Sequence, residues 1–176
     1  MTMIDQLTSR ERQQATVACA AVVLLGLLLT LAGWGDLIAV HGILAALYAG
    51  AFLLYVLKHR NAPEPSEERL KSYYDDPTRI GIVLSLVWGV FGMGVGDWIA
   101  WLMAYPEATF DAAWASFGRL RPVHTTGVIF GFGGNALIAT SYHVVQRTSR
   151  ARLPDQFSPW FVLFGYNLFC LLAVIG

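Results

Sequence analysis

The chain has 176 residues, of which 56% are hydrophobic and only 14% are charged, whereas a soluble domain carries about 25% charged residues. Twelve basic and twelve acidic side chains give no net charge, so nucleic acid is not an indicated partner. Cys19 and Cys170 lie far apart in apolar runs and provide neither a disulfide framework nor a CxxCH motif for covalent haem.

Five apolar segments have roughly the twenty-residue length that crosses a bilayer. In chain order they are residues 15–34, 37–57, 80–103, 123–145 and 160–176. Each is predicted to be helical, because hydrocarbon offers no partner to an unpaired peptide group. We therefore predict an all-α integral membrane protein with about five transmembrane helices that contact lipid.

The two ends of the chain support further expectations. Residues 1–14 are polar, and the apolar run that follows is too long for a signal-peptide core. The first segment is therefore predicted to be a signal anchor that is not cleaved. The fifth segment ends inside an apolar run without a polar flank, which predicts that the chain is part of a longer protein.

Basic residues are divided unequally between the two sides of the predicted helices. Alternating helices place only Arg119 and Arg121 on one side. The other ten lie on the opposite side: Arg10, Arg12, Lys58, Arg60, Arg69, Lys71, Arg79, Arg147, Arg150 and Arg152. Because basic loops stay in the cytoplasm, this distribution predicts a cytoplasmic N-terminus.

A polar loop separates the first two segments from the last three. It contains two prolines and a short acidic run, which is typical of a linker. The chain is thus predicted to comprise a two-helix membrane extension at 1–60, a cytoplasmic linker at 61–79 and a core at 80–176.

The strongest candidate for chemistry lies at the start of the fourth segment. Arg119 and Arg121 precede Pro122, which suits the first turn of a helix, and His124 then lies about one turn into the membrane. A histidine at that depth is a functional-site hypothesis. The alternative is a histidine that is hydrogen-bonded to a carbonyl of a neighbouring helix.

Three glycines follow this histidine at offsets of 3, 7 and 10: Gly127, Gly131 and Gly134. At 3.6 residues per turn they share a face with His124. A face without side chains leaves room for a flat macrocycle, although it also serves close helix packing. Arginines, histidine and glycines together predict a haem with its iron on His124 and its propionates near Arg119 or Arg121.

The other histidines are weaker candidates. His143 lies 19 residues after His124, which is about 30 Å along a helix, so the two cannot share a metal. It is predicted to lie at the membrane interface. His41 has a depth similar to that of His124 and is a candidate second iron ligand in a protein that works alone. His59 is predicted to be solvated.

Asp97 is a carboxylate inside an apolar segment. Two interpretations are open: an ion pair with Arg119 or Arg121, or a place in a proton path.

Residues 115–153, ASFGRLRPVHTTGVIFGFGGNALIATSYHVVQRTSRARL, resemble the catalytic subunit I of cbb3-type cytochrome c oxidases, members of the haem–copper oxidase superfamily. The resemblance extends to VWGVFGMGVG at 87–96 and FGYNLF at 164–169, and covers roughly residues 78–176. Its most specific part is the string Arg-Leu-Arg-Pro-x-His-Thr. Residues 1–60 resemble, more loosely, an N-terminal extension that some members carry.

The resemblance implies that His124 is an axial ligand of low-spin haem b, which relays electrons to the oxygen-reducing site. It implies that the second ligand, the high-spin haem and the copper belong to later helices of a full-length protein. It further implies a multi-pass protein of the bacterial inner membrane, whose partners are the remaining helices of subunit I and c-type cytochrome subunits. Asp97 and His143 depart from the apolar or aromatic residues expected at their positions.

Two other interpretations remain. One is a stand-alone membrane cytochrome whose haem iron is bound by His41 and His124. The other is a cofactor-free helix bundle that serves in assembly or transport. Nitric oxide reductase, a near relative with similar helices, ranks below both because the motif is specific.

Overall fold

The computed structural model describes residues 7–33, 35–109 and 112–175, and within these ranges it consists of helices joined by turns. The helices are α1 (Ser9–Ala32), α2 (Leu37–Lys58), the short α3 (Glu67–Lys71), α4 (Asp76–Ala104), α5 (Phe117–Ser149) and α6 (Phe157–Ile175). Five of them, all except α3, are long and apolar enough to cross a membrane. The predicted fold class and number of spans are therefore confirmed.

Helix α1 begins at Ser9, before the apolar segment predicted from residue 15. Its N-terminus has a capping box: the Thr8 hydroxyl accepts a hydrogen bond from the Glu11 amide (3.3 Å), and the Glu11 carboxylate accepts one from the Thr8 amide (2.8 Å). The cap satisfies amides that would otherwise be free, so polar residues begin the helix. Trp34, the predicted end of this segment, lies outside the described residues.

Helix α5 also begins earlier than predicted, at Phe117, with Ser116 as its N-cap residue. Pro122 therefore lies inside the helix, and the prediction that it occupies the first turn is wrong. The amides of Arg119 and Leu120 both donate to the Ser116 carbonyl, at 3.0 and 2.9 Å. A complete hydrogen-bonded turn thus precedes the proline, whose ring is exposed.

The middle of α5 is not α-helical. Residues Thr126–Gly134 form a π-helical segment between the α-helical parts Phe117–Thr125 and Asn135–Ser149. Each backbone hydrogen bond in a π-helix spans five residues instead of four, and such segments are frequent at functional sites. The predicted common face of His124 and the three glycines rests on 3.6 residues per turn, and the π-helical segment departs from that geometry.

Helices α1 and α2 form a hairpin in which the two backbones are in contact. A Cβ atom on Gly26 would lie 2.6 Å from the Gly42 carbonyl oxygen, and one on Gly42 would lie 2.5 Å from the Gly26 carbonyl oxygen. The buried face of α2 continues this pattern with Ala39, Ala45 and Ala49. Small residues let membrane helices approach closely, which favours their association where lipid provides no hydrophobic drive.

Helix α6 connects this hairpin to the rest of the molecule, since it contacts α1, α2, α4 and α5. At one end of the bundle the contact is a buried cluster: Leu7, Ala15, Val56, Tyr74, Trp160 and Leu163. There the Glu11 carboxylate also accepts a hydrogen bond from the backbone N–H of Gln156 at 2.6 Å. Elsewhere the helices expose large apolar side chains such as Val90 and Leu137, as expected of surfaces that face lipid or further helices.

The loop before α4 is bound to the end of α5 by side chains of α5. The Gln146 amide accepts from the Tyr74 backbone N–H (2.7 Å) and donates to its carbonyl (3.0 Å). Arg147 donates two hydrogen bonds to the Asp75 carboxylate, at 2.6 and 2.7 Å. These bonds fix the rotational position of the second half of α5 relative to α4.

Candidate functional site

His124 lies in the first part of α5 and faces α4. Its Nδ1 atom is 2.7 Å from the carbonyl oxygen of Gly92. A carbonyl can only accept, so Nδ1 carries the proton and donates it. The Nε2 atom then has a lone pair, and no hydrogen bond ties it to another described residue. A metal-binding histidine typically has this arrangement, with one nitrogen fixed by a carbonyl and the other at the metal.

The imidazole lies against two glycines of α4 that are not among the predicted site residues. A Cβ atom on Gly96 would lie 2.7 Å from Cε1 and 2.9 Å from Nδ1 of His124. Gly92 provides the accepting carbonyl one turn away on the same helix. The glycine-rich run 87–96 contains both residues, but only the packing of α4 against α5 shows which of its glycines contact the ring.

The glycines of α5 lie against neighbouring helices. A Cβ atom on Gly127 would lie 3.1 Å from the Gly92 Cα atom, and one on Gly131 would lie 2.6 Å from the Trp88 ring. At Gly134 a Cβ atom would overlap the Tyr166 hydroxyl. The room that was predicted here for a macrocycle is occupied by α4 and Tyr166, so in this structure the glycines serve close packing.

The two arginines before His124 differ in their surroundings. Arg119 donates to the carbonyl oxygens of Val174, at 3.1 Å, and of Ile175. Arg121 is exposed. Asp97 forms no ion pair with either arginine in the ranges 7–33, 35–109 and 112–175, so the predicted pair is absent there. The Asp97 carboxylate instead borders an exposed hollow next to Trp98.

His41 does not have the geometry of a second iron ligand. Its Nδ1 atom is 2.8 Å from the Leu37 carbonyl oxygen, and its Nε2 atom is 3.1 Å from the carbonyl oxygen of Leu172 in α6. Both nitrogens face carbonyl oxygens, so neither is available to a metal. His41 packs on α6 whereas His124 packs on α4, which disfavours a haem bound by this pair.

His143 and His59 also have local partners. The Nδ1 atom of His143 is 3.9 Å from an Asp75 carboxylate oxygen, and its side chain is 51% exposed. His59 is only partly exposed, because its ring packs against Tyr55 and its Nδ1 atom is 2.8 Å from the Tyr55 carbonyl oxygen. Neither residue joins His124, and the described residues contain no group of three His, Cys, Asp or Glu side chains suited to a metal ion.

The single available donor, His124, suits a haem better than a bare metal ion. A bare ion needs several protein ligands, and His124 is a single donor. A porphyrin supplies four nitrogens itself and takes only axial ligands from the protein. A neutral imidazole on a membrane helix, with its second nitrogen fixed by a carbonyl, matches that requirement.

Residues 76–176, which comprise α4, α5 and α6, match the family model of cytochrome c and quinol oxidase polypeptide I. The chain belongs to this family. The resemblance found in the sequence is thereby confirmed, and the chain is a multi-pass membrane segment of an oxidase subunit I.

Three curated relatives illustrate the similarity. The cytochrome c oxidase subunit 1 homolog of Azorhizobium caulinodans is 46% identical over 140 residues, which are 75% of this chain and 25% of the relative. Cytochrome c oxidase subunit 1 of Rhodobacter capsulatus is 43% identical over 131 residues, 73% of this chain and 24% of the relative. The cbb3-type cytochrome c oxidase subunit CcoN1 of Stutzerimonas stutzeri is 50% identical over 94 residues, 53% of this chain and 20% of the relative. The chain thus spans a quarter or less of the length of these relatives.

Proposed function

We propose that this chain forms the first helices of a cbb3-type cytochrome c oxidase subunit I and that His124 is an axial ligand of its low-spin haem b. The observation that carries the proposal is the 2.7 Å hydrogen bond from His124 Nδ1 to the Gly92 carbonyl. It selects the neutral tautomer whose Nε2 lone pair can bind iron. The histidine also lies in the string by which the sequence resembles that subunit.

Residues of this chain would bind and orient the haem. His124 holds the iron through Nε2, and the Gly92 carbonyl prevents the ring from rotating. Arg121, which is exposed, and Arg119 precede the histidine in the first part of α5, and either guanidinium would be suited to pair with a propionate carboxylate. When bound, the haem would supply reversible one-electron chemistry, and the residues of this chain would hold it through His124. The role of this site is therefore electron relay.

The rest of the assembly follows from the same proposal. The second axial ligand, the copper and the high-spin haem belong to later helices of subunit I, which cover exposed faces of α4, α5 and α6. The c-type cytochrome subunits bind to the assembled oxidase and supply its electrons. The location is the bacterial inner membrane, with residues 1–60 as a membrane extension and residues 61–79 as a cytoplasmic linker.

The experiment that tests the proposal is His124→Ala in the assembled oxidase, with His143→Ala as the control. His124→Ala is expected to abolish the absorption bands of low-spin haem b, because an alanine has no donor for the iron. His143→Ala is expected to retain them, since His143 lies at the other end of α5 beside Asp75. A normal low-spin spectrum in His124→Ala would show that this histidine does not bind the haem.

A further inference from the structure

The buried positions of α5 repeat every four residues across its middle. The buried residues are Val123, Gly127, Gly131, Asn135 and Ala139. In an α-helix a step of four residues exceeds a full turn by about 40°, so four steps add up to about 160°. The first and last of these residues would then lie on nearly opposite faces. The π-helical segment Thr126–Gly134 removes this drift, so that both halves of α5 face the protein.

Side chains from three helices donate hydrogen bonds to this segment. Three consecutive carbonyl oxygens each accept one: Phe130 from the Tyr166 hydroxyl of α6 (3.1 Å), Gly131 from the Asn135 amide of α5 (2.7 Å) and Phe132 from the Ser85 hydroxyl of α4 (2.8 Å). We call Ser85, Asn135 and Tyr166 the π-segment donors. They bind the carbonyls from different sides and leave the segment little freedom to rewind.

Asn135 is itself fixed by neighbouring helices. Its Oδ1 atom accepts from the Asn167 amide at 2.8 Å, and its own amide reaches the Asn167 Oδ1 atom at 3.2 Å. The Trp88 indole donates to the same Asn167 oxygen at 2.8 Å. Both asparagines are buried, where a polar group without a hydrogen-bond partner is strongly destabilising. This closed network therefore specifies the position of Asn135.

Two glycines of α5 leave the space in which side chains of this network pack. Gly134 leaves the space that the Tyr166 hydroxyl occupies, and Gly131 leaves the space that the Trp88 ring occupies. A side chain at either position would displace a residue that donates to the segment or to Asn167. The π-helical segment of α5 is thus supported by three observations: the glycines, the π-segment donors and the four-residue repeat of buried positions.

We propose that the π-segment donors are positioning residues, which keep residues 126–134 π-helical and thereby set the rotation of His124 about the axis of α5. Gln146 and Arg147 fix the second half of α5 to the loop before α4. If the segment relaxed to an α-helix, the first half would rotate relative to that fixed half. The His124 Nδ1 atom would then leave the Gly92 carbonyl, and the imidazole plane would turn. The inference rests on the proposed role of His124 as an iron ligand.

The test is the double variant Ser85→Ala/Tyr166→Phe in the assembled oxidase, together with both single variants. We expect the haem to remain bound, with shifted electron paramagnetic resonance g-values and a shifted midpoint potential of low-spin haem b. Each single variant should shift these values less. Amide hydrogen exchange over residues 126–134 should become faster in the double variant. The control is Thr140→Ala, which removes a hydroxyl that donates to the Ala136 carbonyl (2.7 Å) in the α-helical part of α5.

The outcomes separate this inference from the proposed function. If His124→Ala loses the low-spin haem while the double variant has wild-type g-values, potential and exchange, the positioning role is wrong and the ligand role stands. If His124→Ala keeps the low-spin haem, His124 is not its ligand. Unchanged amide hydrogen exchange over residues 126–134 in the double variant would in addition show that the donors do not keep this segment π-helical. Should the double variant fail to assemble, Tyr166→Phe, which loses one hydroxyl only, decides by the same measurements.

Discussion

At the scale of single residues, the decisive contact is between a side chain and a backbone atom. The Gly92 carbonyl fixes the tautomer of His124, and a carbonyl has no protonation state that could change this choice. The contact requires the imidazole to lie directly on α4. Gly96 makes that possible, because no Cβ atom stands between the helix and the ring.

Gly96→Ala is therefore expected to displace the imidazole and to reduce the low-spin haem b signal of the assembled oxidase. The added methyl group would lie 2.7 Å from the ring, which is overpacking that a close-packed interface cannot absorb without movement. The absorption spectrum per mole of protein measures the effect. Gly94→Ala is the matched control, since a Cβ atom at Gly94 meets nothing within 4 Å. Equal spectra for the two variants would contradict the packing of His124 on α4.

A second residue-scale contact joins the start of α4 to the end of α5. Arg147 donates two hydrogen bonds to the Asp75 carboxylate and thereby lowers the pKa of Asp75 below its ordinary value. The folded state then holds the ionised form better than the unfolded state does. The ion pair stabilises the fold above the unfolded pKa of about 3.9 and ceases to do so as the pH falls through the lower pKa of the folded state.

Asp75→Asn is expected to lower the midpoint of thermal unfolding at pH 7 in detergent, because Arg147 loses its charged partner. The difference from the wild-type protein should narrow as the pH falls below about 3.9, where the wild-type carboxyl also loses its charge. Glu67→Gln is the control, since the Glu67–Lys71 pair is almost fully exposed and such pairs contribute little. A difference that stays constant down to low pH would contradict the ion-pair explanation.

At the scale of helices, two kinds of close packing occur. Helices α1 and α2 meet through bare backbone at Gly26 and Gly42, where each glycine faces the carbonyl of the other. Helices α4 and α5 instead meet through glycines that admit a ring: Gly96 for His124 and Gly131 for Trp88. The first kind holds two helices together as a hairpin, whereas the second positions the His124 and Trp88 rings.

Gly42→Ala is expected to force α1 and α2 apart. Its Cβ atom would lie 2.5 Å from the Gly26 carbonyl oxygen, and overpacking of this kind costs about 1–3 kcal/mol. A lower midpoint of thermal unfolding in detergent reports the loss. At Gly50 of the same helix, the single neighbour of an added Cβ atom is a Val23 methyl group at 3.9 Å. Gly50→Ala should therefore unfold like the wild-type protein, and equal destabilisation by both variants would refute the backbone contact.

At the scale of the whole molecule, the spans and the charges together predict an orientation. The connection between α2 and α4 and the connection between α4 and α5 leave opposite ends of α4. Ten of the twelve basic residues would lie on the side of the first connection, which the positive-inside rule assigns to the cytoplasm.

Reporter fusions test this orientation directly. Alkaline phosphatase, which is active only outside the cytoplasm, should be inactive when fused after Pro65 and active when fused after Ala112. Green fluorescent protein at the same two positions should give the opposite pattern, because it fluoresces on the cytoplasmic side. The same location for both fusions would contradict the alternation of the spans.

The number of spans could be predicted because the length of an apolar run is a local property of the chain. The helix starts were predicted too late, because apolar runs mark only the lipid-facing part of a helix. Helix α1 begins at Ser9 behind a local capping box, and α5 begins at Phe117 in a polar turn that has no side-chain cap. The π-helical segment also escaped prediction. The structure marks this segment by buried residues at every fourth position. Small residues such as Gly127 and Ala139 occur on buried and exposed faces alike, so the repeat is visible only when the neighbouring helices are known.

The sequence by itself determined the membrane class, the family resemblance and the choice of His124, since each depends on residue types and their spacing. The tertiary structure alone decided what surrounds that histidine. Gly92 and Gly96, which contact the ring, lie about thirty positions earlier in the chain. Tyr166, which donates to the π-helical segment that follows His124, lies over forty positions later. No local pattern connects residues so far apart, because their contacts arise only from the packing of α4, α5 and α6 against one another.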